Sequence, residues 1–186
     1  MHFSHHFTAF AAAAATLASA NSITFVNQDA TQRTIVFTPN AGLQQMDDVV
    51  IAGFDKTQVD FPEGWIGNAY SVSEGAPNVV GMLAEVTFQG WNGLTYFDVS
   101  AIVNPNDLEG VKQLYPSSEQ DVQDKVQVSG CALFPCPKVY YHPDDVQTVT
   151  STEVDFICTL GNPPSTTVTR DVEVELVARK FVLGKF

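Results

Sequence analysis

The sequence predicts an all-β fold, a sandwich or a barrel built from short strands. Apolar and polar residues alternate in short runs, which is the pattern of half-buried strands. Turn-forming segments rich in Gly, Pro and Asn separate these runs, as at residues 39–42, 62–64 and 92–93. No stretch carries a convincing apolar stripe at helical spacing. The chain has 186 residues, 45% hydrophobic and 16% charged, which suits one domain with a packed core.

The alternating runs predict strands along most of the chain, and the polar segment 117–128 is predicted to be a loop or one weak helix. Residues 162–165 separate a closing strand from the rest, and the end of the chain from about residue 178 is basic. We therefore expect one domain over residues 21–186. The predicted strands lie at residues 23–26, 33–38, 49–51, 59–61, 70–72, 82–88, 97–103 and 172–176.

The strands at residues 82–88 and 97–103 are the most informative. Each has one apolar face, and the opposite face carries a carboxylate, Glu85 in the first strand and Asp98 in the second. Trp91-Asn92-Gly93 supplies a tight connection, because Asn-Gly tolerates positive φ. If the strands pair, Glu85 and Asp98 lie on the same exposed face. The apolar faces consist of Met82, Ala84, Val86, Phe88, Phe97, Val99, Ala101 and Val103.

Residues 1–20 have the pattern of a secretory signal peptide. The uncharged, alanine-rich stretch 7–17 precedes Ala18-Ser19-Ala20, where small residues suit a signal peptidase. The apolar stretch is about half the length that spans a bilayer. We expect a secreted protein, extracellular or associated with the cell wall. After cleavage His142 is the remaining histidine, so a His-rich metal centre is excluded, and neither a metal nor a cofactor is predicted.

The chain is strongly acidic, with 21 acidic and 9 basic side chains and a net charge of −12. Such a chain repels nucleic-acid phosphates and anionic membrane surfaces, so neither nucleic acid nor membrane is expected as a partner. An acidic surface can instead dock a basic protein.

Two blocks of sequence resemble the thaumatin-like family. Residues 83–88 and 97–103 are similar to its Leu-Ala-Glu-Phe and Tyr-Asp-Val-Ser strands. Residues 136–145 and 156–158 are similar to its Cys-Pro-x-Ala-Tyr-x-Tyr segment, its Asp-Asp pair and its Phe-Thr-Cys strand. Residues 21–161 also resemble the small secreted fungal proteins of the yeast-phase-specific (Blastomyces-type) family, in segments 23–27, 64–68, 73–77 and 98–107.

The thaumatin-like resemblance implies a flattened antiparallel β-sandwich with an acidic cleft. It places Glu85, Asp98 and either Asp144 or Asp145 in that cleft. Val103 stands where the family has a further Asp, and the family's Arg is missing from the strand after Trp65. Plant and fungal members of the family are associated with β-1,3-glucan binding, antifungal action and weak hydrolysis.

The cysteines are Cys131, Cys136 and Cys158. In an oxidising compartment one pair should form a disulfide, and the third thiol is either buried and inert or bridges two chains. The thaumatin pattern favours Cys136–Cys158. Cys131–Cys158 is the alternative, because sequence does not fix connectivity.

The candidate site combines carboxylates and aromatic rings. Neighbouring carboxylates raise one pKa, so Glu85, Asp98 and Asp144 are candidate catalytic residues of a glycosidase. The alternative is that these acids are solvated residues of an acidic protein. Ligand contacts are predicted for the same three acids and for Asp145, Trp91, Tyr96 and Tyr140, because aromatic rings stack on sugars.

We therefore expect a secreted fungal protein that binds cell-wall polysaccharide, with β-glucan as the first candidate. Its role would lie in wall remodelling, antifungal activity or host interaction. One alternative is a weak endo-β-1,3-glucanase that uses Glu85 with Asp98 or Asp144. The other is an effector that binds a secreted or host-surface protein.

Overall fold

The computed structural model describes residues 21–122 and 124–164. The predicted signal peptide, the predicted closing strand at residues 172–176 and the basic end lie outside the described residues. Within the described ranges, no helix has both the length and the apolar character needed to cross a membrane.

The described strands form two sheets that face each other, which confirms the all-β prediction. The strands are β1 Asn21–Asn27, β2 Arg33–Pro39, β3 Val49–Ile51, β4 Lys56–Phe61, β5 Ile66–Ser73, β6 Leu83–Thr87, β7 Thr95–Ser100, β8 Val111–Pro116, β9 Ser129–Gly130, β10 Val149–Ser151 and β11 Asp155–Leu160. The first sheet has the order β4-β1-β11-β8-β9, and the second has the order β10-β7-β6-β5-β2-β3. Strands β1 and β11 pair in parallel, and the other described pairs are antiparallel.

Aromatic rings from both sheets meet in the core. The ring centroids of Phe61 and Trp65 are 4.9 Å apart, and those of Phe97 and Phe156 are 4.8 Å apart. Trp65 is fully buried and its indole Nε1 donates to the Gln44 carbonyl at 3.1 Å, as a buried Trp requires. Because both sheets contribute rings to one apolar layer, the outer faces of the strands are left to carry polar side chains.

The predicted hairpin of β6 and β7 is confirmed, including its turn. Asn92 has φ 58° and Gly93 has φ 71°, which is the conformation that Asn and Gly tolerate best. The predicted apolar faces are buried, except at Val103. That residue is 60% exposed, because β7 ends at Ser100 and the chain leaves the sheet before Asn104-Pro105, where Pro cannot donate to the ladder.

Strands β8, β9, β10 and β11 were not predicted from alternation. In β8 and β11 almost every residue is buried, because a small second cluster of Tyr115, Val128 and Ile157 covers the face opposite the core. Burial on both faces erases the alternation of apolar and polar residues. The segment 117–128 contains one turn of 3-10 helix at Ser117–Glu119 and is otherwise loop in its described residues, which confirms the loop prediction.

The disulfide joins Cys131 to Cys136, with a Cα–Cα distance of 6.3 Å, so both predicted pairings with Cys158 are wrong. Cys158 lies in β11 between Phe25 of β1 and Leu114 of β8. Its thiol is buried in the core, and burial raises its pKa. The other two cysteines lie in the loop after β9, where they reach each other. Of the two fates predicted for the third thiol, the structure shows the buried one.

An ion pair joins buried Arg33, at the start of β2 in the second sheet, to Asp29 in the turn that follows β1 of the first sheet. Arg33 is 1% exposed, and its guanidinium donates to Asp29 Oδ2 at 2.6 Å, to Ser73 Oγ at 2.9 Å and to Asn27 Oδ1 at 3.2 Å. Asp29 Oδ2 also accepts from the Asn162 N–H at 3.0 Å. These bonds hold the β1–β2 turn against the chain that leaves β11.

Candidate functional site

The site is built around two carboxylates, Glu85 on β6 and Asp98 on β7. They are direct cross-strand partners in the antiparallel register, so their Cβ atoms lie about 4.5–5.5 Å apart. Their neighbours Val86 and Phe97 point into the core, which turns both carboxylates to the outer face of the second sheet. The prediction that these two acids share one exposed face is confirmed.

A groove of about 290 Å³ runs over this face of the sheet. Asn68 of β5 is the cross-strand partner of Glu85, so an amide and two carboxyls form a row over three strands. A second row contains Ile66, Thr87 and Tyr96. The residues that line the groove are Asn40, Ile66, Gly67, Asn68, Glu85, Val86, Thr87, Tyr96, Asp98 and Thr148.

Thr148 closes the row on the far side of Asp98, just before the edge strand β10. Its hydroxyl donates to Asp98 Oδ2 at 3.4 Å. The hydroxyls of Thr148 and Tyr140 are 2.8 Å apart, so Tyr140 supports the groove wall from outside. The edge of the groove is therefore a chain of hydroxyl groups that ends on a carboxyl.

The pKa of Asp98 is raised to about 7. Burial is the main cause, followed by the negative charge of Glu85 and by the hydrogen bond that the protonated carboxyl makes to Glu85, while the bond from Thr148 works in the opposite direction. Asp98 Oδ1 is buried and accepts no N–H or hydroxyl hydrogen bond from the described residues. Near neutral pH the Asp98 carboxyl is therefore protonated in a substantial fraction of molecules.

Two of the predicted aromatic residues, Tyr96 and Trp91, lie in the groove and on the turn next to it, respectively. Tyr96 lines it, and its hydroxyl donates to the Trp91 carbonyl at 3.3 Å. The Trp91 side chain is 77% exposed on the turn between β6 and β7. The Tyr96 ring in the groove and the exposed Trp91 indole on the adjoining turn are apolar surfaces of the kind that can stack on sugars.

Asp144 and Asp145 are not brought to the groove. Asp144 is exposed in the turn after Tyr141 and does not line it. Asp145 Oδ2 accepts from the N–H groups of His142 at 2.9 Å and Tyr141 at 2.8 Å, and these bonds lower its pKa. The Asp-Asp segment therefore stabilises a turn, and the expected cluster of three acids is reduced to a pair.

Sequence reasoning missed the neutral polar residues of the groove. Asn68 had a detectable signal, because pairing the strand that contains it with β6 places it beside Glu85. Asn40 and Thr148 had none, because each lies in irregular chain next to a strand and reaches the groove only through the sheet order.

The pair can exchange a proton and can bind hydroxyl groups. Glycosidase carboxylates stand about 5–5.5 Å apart in retaining enzymes and about 6.5–9.5 Å apart in inverting ones. Carboxyls that share a hydrogen bond are closer than either spacing. As for metals, no group of three or more His, Cys, Asp or Glu side chains in residues 21–122 and 124–164 is placed to hold an ion.

Comparison with known proteins identifies a relative by sequence and a neighbour by fold. The antigenic protein SchS21 of Stachybotrys chartarum is 47% identical over 140 residues, covering 75% of this chain and 94% of that protein. The crystal structure of the protein elicitor MoHrip2 from Magnaporthe oryzae matches with a TM-score of 0.58 at 16% identity, over 76% of this chain and 99% of that one. This second likeness is one of fold. No family model matches the chain, and the resemblance to thaumatin-like and Blastomyces-type proteins stays a prediction.

Proposed function

The chain belongs to the family of the antigenic protein SchS21, and from that premise we propose that it is a secreted fungal protein that binds cell-wall polysaccharide. The binding site is the groove around Glu85 and Asp98, and β-glucan is the first candidate ligand. The chemistry of the groove carries this proposal. Its lining offers two carboxyls, two amides and two threonine hydroxyls beside the Tyr96 ring, which is the mixture that recognises sugar hydroxyls and ring faces.

The names of the sequence relative and of the fold neighbour support a role outside the fungal cell. One is called antigenic and the other is called an elicitor, and both words describe proteins that a host meets. A protein that coats or modifies wall polysaccharide at the cell surface is met by the host in the same way. We therefore include host interaction in the proposed role of this chain.

A weak β-1,3-glucanase is the second candidate, because Asp98 has the raised pKa of a general acid. The hydrogen bond with Glu85 that contributes to the raised pKa of Asp98 argues against it, since such a bond needs a shorter separation than either glycosidase geometry has. We propose binding without efficient hydrolysis.

Co-sedimentation with insoluble polysaccharides tests this proposal. The folded protein is mixed with β-1,3-glucan, chitin or cellulose at pH 5.5, and the pellet is assayed. We expect the wild type to pellet with β-1,3-glucan, and Tyr96→Ala to weaken this binding by about tenfold, because a lost stacking ring costs about 1–2 kcal/mol.

Phe54→Ala is the matched control. Phe54 is 64% exposed and lies between β3 and β4, outside the lining of the groove, so its loss should leave binding unchanged. A wild type that stays in the supernatant with every polysaccharide contradicts the proposal. Capture of a host-surface protein in the same conditions would then favour the effector alternative.

A further inference from the structure

We propose that the Glu85–Asp98 pair is a pH switch for the groove, which holds a polysaccharide while the pair shares one proton and loosens its hold when that proton is lost. This regulation rests on the proposed function, since it concerns the ligand of the same groove. Proton loss is the signal, and the position of the two carboxyls is the response.

The backbone prevents the pair from relieving its repulsion by moving apart. Glu85 and Asp98 are opposite each other in a ladder that runs from Leu83–Ser100 to Thr87–Tyr96. The inward neighbours in both strands are buried in the core. When the shared proton leaves, two negative charges stand on adjacent strands, and only their side chains can rotate away from each other.

The groove supplies no positive charge to neutralise them. From β5 the pair faces the Asn68 amide, from the chain before β10 it faces the Thr148 hydroxyl, and from the chain after β2 it faces Asn40. The titratable neighbours on this side are Tyr96 in the groove and Tyr140 behind Thr148. No Lys, Arg or His is found in the described lining of the groove.

The buried Oδ1 atom of Asp98 determines which protonation state of the pair the fold favours. Asp98 Oδ1 accepts no N–H or hydroxyl bond from the described residues, so an ionised carboxylate there lacks the donors that it needs. A proton held between the carboxyls satisfies both groups. The raised pKa of Asp98, about 7, agrees with this geometry and sets the pH range of the switch.

Loss of the proton changes the surface that a sugar meets. The shared proton holds both carboxyls close to the sheet, beside Asn68 and Thr148. With two charges, the side chains turn into the groove and retain water, which competes with the sugar hydroxyls. We expect affinity to fall by about tenfold between pH 5.5 and pH 8.5, the change produced when a ligand raises the pKa of the pair by one unit.

Carbon-13 NMR titration of the side-chain carboxyls tests the switch without a ligand. We expect Asp98 to titrate near pH 7, with the amide signals of Asn68 and Thr148 following the same midpoint. In Glu85→Gln the midpoint should move down, because the neighbouring negative charge is removed. The proposal would be overturned if the Asp98 carboxyl were already fully ionised at pH 5.5. It would also be overturned if the amide signals of Asn68 and Thr148 did not change as Asp98 titrates.

Affinity for a soluble β-1,3-glucan, measured by calorimetry at pH 5.5 and pH 8.5, tests the response. The readout is the ratio of the two affinities, which should be about ten for the wild type and for the control Asp60→Asn, an exposed acid on β4. It should be close to one for Asp98→Asn. A wild-type ratio of one contradicts the switch alone. Absence of binding at both pH values contradicts the proposed function, and the NMR titration then decides whether the pair switches.

Discussion

Glu85 and Asp98 are direct partners across the antiparallel pair β6–β7, on the exposed face of the second sheet. Like charges opposite each other destabilise a sheet. The fold places them there nonetheless and surrounds them with neutral polar groups, and the pKa of Asp98 is raised to about 7. In our proposal, both the stability of the fold and ligand binding in the groove depend on the titration of Asp98.

The first prediction concerns stability against pH. The pKa of Asp98 is raised in the folded state from 3.8 to about 7, so the folded protein binds more protons than the unfolded chain between those values. The contribution of Asp98 to the free energy of unfolding is therefore greatest below pH 4 and is lost as the pH rises through 7. Asp98→Asn should be more stable than the wild type at pH 8 by about 1–2 kcal/mol, since the groove is open to water.

Chemical unfolding of both proteins at pH 5 and pH 8 measures this difference. Asp60→Asn is the control, since Asp60 is exposed on β4 of the first sheet and is not part of the groove. Equal stability of Asp98→Asn and the wild type at pH 8 would show that ionisation of Asp98 beside Glu85 does not destabilise the fold.

The second prediction concerns the buried ion pair. Burial works against the ionised form of Asp29, but the N–H groups of Thr31 and Asn162 and the Arg33 guanidinium outweigh it and lower its pKa. This stabilisation is present above the pKa of Asp29 in the unfolded chain and is lost as the pH falls through the folded value. Asp29→Asn leaves the Arg33 charge buried without its partner.

We expect Asp29→Asn to lower the free energy of unfolding by about 2–3 kcal/mol at pH 7. Asp48→Asn, at an exposed position before β3, should change it by less than about 0.5 kcal/mol. Urea unfolding measures both. If Asp29→Asn lowers the free energy of unfolding by no more than Asp48→Asn does, then solvent already neutralises the charge of Arg33.

The third prediction concerns the cysteines. Cys158 is fully buried and its thiol pKa is raised, so the native protein should not react with a thiol reagent, whereas the unfolded protein should bind one equivalent. Peptide mapping should find Cys131 linked to Cys136. Rapid native labelling, or a disulfide that includes Cys158, would contradict the arrangement of β11.

The fourth prediction concerns hydrolysis. Because a hydrogen bond with Glu85 contributes to the raised pKa of Asp98 and needs a shorter separation than glycosidase carboxyls have, we expect no more reducing sugar from β-1,3-glucan with the wild type than with Glu85→Gln. Reducing-end assays with product analysis by mass spectrometry measure this release. Release by the wild type that Glu85→Gln abolishes would establish the glucanase instead.

Local sequence was sufficient to predict the hairpin that carries the pair. The alternation in residues 82–88 and 97–101 fixes which side chains face the core, and Asn92-Gly93 fixes the turn, so the positions of Glu85 and Asp98 follow. Their neighbours across the sheet depend on long-range pairing. Thr148 reaches Asp98 only because β10 adds to the edge of β7, and no local pattern encodes that event.

The disulfide is a second feature that local sequence does not determine. Sequence defines three cysteines but not which of them faces the core. Cys158 is held inside by its place in β11 between Phe25 and Leu114, a strand that alternation did not predict because both of its faces are buried. Asp144 illustrates the remaining gap, since the acidity of a segment does not reveal that its neighbour Asp145 folds it into a turn.

Mapping a soluble β-1,3-glucan oligosaccharide onto the protein by backbone amide NMR at pH 5.5 tests the central claim most directly. We expect the sugar to shift the amide signals of Asn68, Glu85, Tyr96, Asp98 and Thr148, while those of the first sheet stay in place. Shifts confined to the first sheet, or no shifts at saturating sugar, would contradict the assignment of this groove as the polysaccharide site.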